Sequence, residues 1–256
     1  MLALLAQVTV WPLFLAFFFF NVSKFFSAIR QARIFRCIGV ELSLAQHLRL
    51  YYIGMFYNLL LPGGIGGDGY KMILLHQSHG KSWKALLSTN LIDRLTGLAI
   101  LLGMLLALVP FSSLSSWWQH LLWLFPLGFL VYWLAFKFFF KNYLPAFISL
   151  HLHSLVVQGS QLLAVYAILL ALPNSSFDVD YWLLFLVSSV AAVVPVTVGG
   201  LGARELVSLK LAPLLAVNME AALSIGLLFF VITFFSSLAG IFLKYEYDHP
   251  STDQPD

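Results

Sequence analysis

Seven apolar runs, most of them too long for a soluble core to hide, constrain this chain more than any other feature. The first covers Leu2–Val22, interrupted only by Gln7, Thr9 and Asn21, and the others lie at about 50–63, 85–110, 121–140, 143–172, 181–198 and 211–243. A helix needs about 20 apolar residues to cross a bilayer, and all but the runs at 50–63 and 181–198 reach that length. Only 10% of the residues are charged, against about 25% in an ordinary globular domain, and the mean hydropathy is +0.90. The reading is an all-α polytopic membrane protein of one domain over residues 1–245, with a polar tail at 246–256.

A pI near 9.0 would point to nucleic acid in a soluble chain. In a membrane protein Lys and Arg gather in cytoplasmic loops for topological reasons, so no nucleic-acid partner is expected. The lone Cys37 cannot form an intramolecular disulfide, and His76 and His79 have no neighbouring Cys or carboxylate to complete a metal set, so neither metal nor cofactor is expected. No hydrolytic motif is present. Trp117, Trp118, Trp123, Trp133, Tyr181 and Trp182 fall near span ends, as an interfacial aromatic belt requires.

Charge sorts the segments by side. The first run has no Lys or Arg before it and Lys24, Arg30, Arg33, Arg36 and Arg49 after it, which predicts a retained span with its N-terminus outside. The run Leu50–Pro62 is too short to span and has basic residues on both flanks, so it is expected to enter and return. The run Tyr181–Val198 ends in Pro195 and a glycine cluster and is read the same way. Five full spans and two re-entrant segments then place most Lys and Arg inside, with the C-terminus cytoplasmic in the inner membrane.

Both short segments end in the same pattern. Pro62-x-x-x-Gly66-Gly67-x-x-x-Lys71 recurs as Pro195-x-x-x-Gly199-Gly200-x-x-x-Arg204, at a constant offset of 133 residues. This suggests pseudo-repeats of about 1–115 and 116–245, with the 121–140 span lacking a counterpart at the N-terminus. Halves with an odd number of crossings are inverted, the usual build of secondary transporters, whose sites lie where paired broken helices meet. The stretch Gly64–Gly69 formally satisfies G-x-G-x-x-G, but that fingerprint carries meaning only between a strand and a helix. What remains is the physics beneath it: glycines with φ > 0 bare backbone N–H groups at the positive end of the next helix. Lys71 and Arg204 at those helix starts would grip a phosphate or carboxylate; interfacial anchoring is the plainer alternative.

Asp68, Asp93, Arg94 and Glu205 fall at bilayer depth, where an ionised group costs about 2.5–3.5 kcal/mol on the mildest scale and pairs or lines a wet cavity. Asp93-Arg94 and Arg204-Glu205 are sequence neighbours and do not face each other on a helix, so each member is expected to reach a different partner. A fixed ion-pair network that merely holds helices together also fits.

The runs Asn58-Leu-Leu-Leu-Pro62-Gly-Gly-Ile-Gly66-Gly67-Asp68, Ile92-Asp93-Arg94-Leu-Thr-Gly97 and Pro195-x-x-x-Gly199-Gly200-Leu-Gly202-x-Arg204-Glu205 together resemble the lysylphosphatidylglycerol synthase transmembrane, or flippase-like, family. Its members include the membrane half of the multiple peptide resistance factor, associated with moving aminoacylated phosphatidylglycerol between leaflets, and stand-alone members linked to other lipids. Departures are Asp93 where Glu is commoner, Lys71 where Arg is commoner, and an N-terminal helix that the family usually has. The resemblance implies that the residues quoted, with Lys71, bind substrate, that membrane lipids with an anionic or zwitterionic head group are the partners, and that the activity is translocation of lipid. A membrane-embedded transferase with Asp68 or Glu205 as base is the alternative, as is a non-catalytic subunit. Self-association or a lipid-synthesis partner is compatible with each.

Overall fold

The computed structural model describes residues 7–60, 66–114, 120, 122–173, 177–193 and 202–245. Nine α-helices are found among them: α1 Val10–Arg36, α2 Leu44–Leu60, α3 Gly66–His79, α4 Trp83–Leu108, α5 Leu124–Phe139, α6 Phe147–Ala171, α7 Val179–Val193, α8 Ala203–Leu211 and α9 Met219–Leu238. Short 3₁₀ turns extend α4 and α9 and precede α6, giving four helical stretches long and apolar enough to cross a membrane: Val10–Arg36, Trp83–Phe111, Lys141–Ala171 and Met219–Ile241. α5 and α7 are shorter apolar helices.

Local chemistry sets the boundaries. Ser43 and Gln46 form a reciprocal capping box, the Gln46 N–H donating to Ser43 Oγ at 3.2 Å and the Ser43 N–H to Gln46 Oε1 at 2.8 Å, so α2 starts at Leu44. Arg49 therefore lies inside α2 and not before it. Gly80, with φ +59, ends α3, and the Ser82 hydroxyl caps α4 by accepting the Ala85 N–H.

Two apolar runs are divided differently from expectation. The first helix does not stop near residue 23 but continues to Arg36, because no Gly or Pro interrupts the chain after Pro12; Lys24 and Arg30 are helical residues inside the bundle, not loop residues. The run 211–243 is not one helix: it turns after Leu211, with Ala216 at φ 51, and restarts where the Asn218 side chain caps α9 by accepting the Ala221 N–H at 3.0 Å.

α1 and α6 form the most extensive helix pair. Small buried residues on both, Ala16, Ser23, Ser27 and Ala28 on one and Ser154, Ser160, Ala164 and Ala167 on the other, let their backbones approach, which is how helices associate where lipid supplies no hydrophobic drive. The Thr9 N–H donates to the Ala171 carbonyl at one end and Arg30 donates to the Ser154 hydroxyl towards the other, so the two run antiparallel. Around them sit two helix pairs, α2 with α3 and α7 with α8. The core joins Phe20, Val165, Leu169, Phe185, Ile225 and Phe229, while α5 presents Leu127, Leu130, Val131 and Phe138 outward. An apolar cavity of about 370 Å³ lies between α4 and α5, lined by residues such as Leu98, Leu102, Gly103, Phe125 and Gly128.

Candidate functional site

α2 and α3 meet at their glycines. A methyl group on Gly67 would collide with the backbone of Gly54, so the two helices touch main chain to main chain. This corrects the expectation for Gly67. Its φ is not positive, as only Gly39, Gly80 and Gly202 among the described glycines have that geometry, and it is needed for close approach instead. Its N–H is not bare either, since it donates to Asn58 Oδ1 at 2.8 Å. Gly66 opens α3 beside it. Pro62, Pro195, Gly199 and Gly200 lie outside the described residues.

The first turn of α3 carries Asp68, which offsets the positive end of the helix dipole. The Asp68 carboxylate takes Lys71 Nζ at 3.1 Å and Arg94 Nη2 at 2.8 Å, one on each oxygen. Lys71 is buried, 5% exposed, with its ammonium also over the Tyr51 ring at 5.7 Å. It is a cation buried in the protein and neutralised by Asp68.

Asp93 turns the other way. Arg30 Nε donates to Asp93 Oδ1 at 3.0 Å, while Arg30 Nη1 donates to Ser154 Oγ at 2.8 Å, so one buried guanidinium ties α1 to α4 and α6. Gly97, one turn after Asp93, leaves room for it: a methyl there would stand 3.3 Å from Arg30 Nη1. The Asp93-Arg94-x-x-Gly97 spacing is thereby explained. Asp93 and Gly97 serve Arg30 on one side of α4, and Arg94 reaches Asp68.

Arg204 has a different environment. Its guanidinium lies against the rings of Phe185 at 4.9 Å and Phe229 at 5.0 Å, and its Nη1 donates to the hydroxyls of Ser188 and Ser189, each at 3.1 Å. Glu205 does not pair with it; its Oε2 accepts the Gly202 N–H at 2.6 Å, closing the start of α8 where Gly202 has φ +87. Phe20 stacks edge-on to Phe229 at 5.4 Å and carries Lys24 Nζ over its own ring at 4.4 Å. Among the described residues neither Lys24 nor Arg204 has a carboxylate within ion-pair distance, and Lys71 and Arg204 do not touch each other.

The candidate residues thus fall into two groups. One holds Asn58, Gly67, Asp68, Lys71 and Arg94, joined through α4 to Arg30 and Asp93; the other holds Gly202, Arg204 and Glu205 beside Lys24. The lysylphosphatidylglycerol synthase TM region family matches residues 1–151, more than half of the chain and the whole of the first group. The chain belongs to this family. The Pro195–Glu205 motif lies beyond the matched residues. No curated protein and no solved structure matches the chain. Within this lysylphosphatidylglycerol synthase TM region chain, sequence reading missed Lys24, Arg30 and Asn21 as interior groups. Asn21 Oδ1 accepts from Tyr52 and Ser236, linking α1 to α2 and α9. The available signal was helical spacing: Asn21, Lys24, Ser27 and Gln31 recur every three or four residues in an unbroken apolar helix.

Proposed function

We propose that this domain is a lipid translocase that moves a phospholipid or other lipid phosphate between the leaflets of the cytoplasmic membrane. Membership of a family named for lysylphosphatidylglycerol synthesis supports a lipid-related role. The observation that carries the finer reading is the set of buried and half-buried charges in a largely apolar bundle: Lys24, Arg30, Lys71, Arg94 and Arg204 against Asp68, Asp93, Asp180 and Glu205. Ionised groups at bilayer depth mark the route of a polar cargo, and here the excess of cations suits an anionic head group whose acyl chains stay in lipid.

The architecture we infer is an inverted repeat. In chain order a long helix, a pair of short helices and a long helix occur twice, as α1, α2–α3, α4 and as α6, α7–α8, α9, at offsets close to the 133 that relates Lys71 to Arg204. The antiparallel packing of α1 on α6 supports inversion. In this scheme α5 crosses as the fifth span, the two short pairs enter from opposite sides, the N-terminus lies outside and the C-terminus is cytoplasmic. The transferase alternative draws less support, because Asp68 is held by two cations and Glu205 by a backbone N–H, which leaves neither poised as a base.

The test is transfer of a head-group-labelled phospholipid between leaflets of proteoliposomes, read by an impermeant quencher. Inner-leaflet label should become quenchable faster than in protein-free vesicles, with the lipid recovered unchanged. Equal rates, or a chemically altered lipid, would reject translocation.

A further inference from the structure

We propose that Lys24 and Arg204 form the head-group site, and that it takes a lipid phosphodiester bearing net negative charge. This deepens the translocase reading and rests on it for the lipid's onward movement, but binding can be measured without transport.

Position for position, Lys71 corresponds to Arg204, Asp68 to Leu201 and Asp93 to Gly226. Asp68, the partner of Lys71, and Asp93, the partner of Arg30, thus have uncharged counterparts, while Glu205, which stands opposite Met72, turns to the Gly202 N–H. The Gly226 position does face Arg204: a methyl there would lie 3.7 Å from Arg204 Cβ and 3.7 Å from Glu205 Oε1. Arg204 has two serine hydroxyls and two aromatic faces, with the nearby Glu205 carboxylate held on the Gly202 N–H beyond ion-pair distance, and Lys24 has one ring. The Phe20–Phe229 contact brings these two cation-bearing rings side by side. Two like charges held this way in an apolar bundle repel and are poorly solvated, and a shared anion removes both costs. A phosphodiester supplies the acceptor oxygens, and charge-assisted hydrogen bonds to it are roughly twice as strong as neutral ones.

The experiment is native mass spectrometry of the purified protein in mild detergent, titrated with phosphatidylglycerol, phosphatidylcholine, lysylphosphatidylglycerol and inorganic phosphate. Phosphatidylglycerol should bind best. Lys24→Gln and Arg204→Gln should each weaken it by about tenfold or more. Gly226→Asp removes no cation and supplies the missing carboxylate, so it should weaken phosphatidylglycerol binding equally while Gly226→Ala leaves it near parental. That variant keeps the test decisive even where loss of Arg204 prevents folding.

Parental affinity in Gly226→Asp and Lys24→Gln would overturn the site. So would equal affinity for phosphatidylcholine or lysylphosphatidylglycerol, or displacement of the lipid by inorganic phosphate at equal concentration, which would make it a free-phosphate site. Binding as expected without leaflet transfer would refute the translocase and leave the site standing. Transfer unaffected by all three charge-changing variants would do the reverse.

Discussion

Gly67 lies so close to Gly54 that the α2–α3 pair has no room for a single side-chain carbon between them. Alanine at position 67 should destabilise the protein by about 1–3 kcal/mol, the usual penalty for overpacking. Gly69, two residues later, has nothing within 4 Å of the place a methyl would take, so Gly69→Ala should be neutral or slightly stabilising. Thermal unfolding in detergent would separate the two; equal melting temperatures would show that the helices part readily at this contact.

Arg30 and Asp93 form an ion pair whose guanidinium is only 7% exposed and ties three helices together. Asp93→Ala strands a buried guanidinium and should cost about 3–5 kcal/mol, whereas replacing both partners with apolar residues should recover most of that loss. A double-mutant cycle on unfolding gives the coupling, and additive losses would argue against the pair.

Asp68 holds Lys71 and Arg94 together, so Lys71→Glu would set two carboxylates side by side under Arg94. Reduced yield of monodisperse protein is expected, beyond any effect on transport. Asp68→Asn should lower stability less, because the amide oxygen still accepts from one cation. Full yield of the Lys71→Glu protein would place Lys71 outside the load that folds α3 onto α2.

The inferred topology puts the two short helix pairs on opposite faces. In a Cys37→Ser background, cysteines at Ala45 and Gln77, both exposed, should be shielded from an impermeant thiol reagent added outside, and cysteines at Phe177 and Lys210 should react. Cys37 itself needs replacing only for certainty, as burial pushes its thiol up and lowers the thiolate fraction at neutral pH. Reaction of one member of a pair without the other would break the re-entrant assignment.

How much of this was legible in sequence follows from what kind of contact is involved. Apolar run length is local information, so the long apolar helices could be read from it, though not the first one's continuation to Arg36 or the break after Leu211, and the Asp93-Arg94 adjacency correctly implied two separate partners. Identity of those partners could not be read: Arg30 and Asp93 stand 63 residues apart, and only folding brings them together. Basic residues after an apolar run ordinarily mark its end, so the sequence alone puts Lys24 and Arg30 beyond the first span. Here they mark polar positions on a helix that continues, a pattern that becomes visible only when spacing is weighed above charge. A sequence does not distinguish a glycine that turns from one that yields space, and Gly67 is of the second kind.

The aromatic seat of Arg204 bears on how long any anion would stay. A guanidinium resting on ring faces keeps its orientation without a resident carboxylate, so an arriving anion has no competitor to displace and a departing one leaves no broken pair to re-form. Such a seat would favour capture over release, because a departing guest leaves two cations without a paired carboxylate.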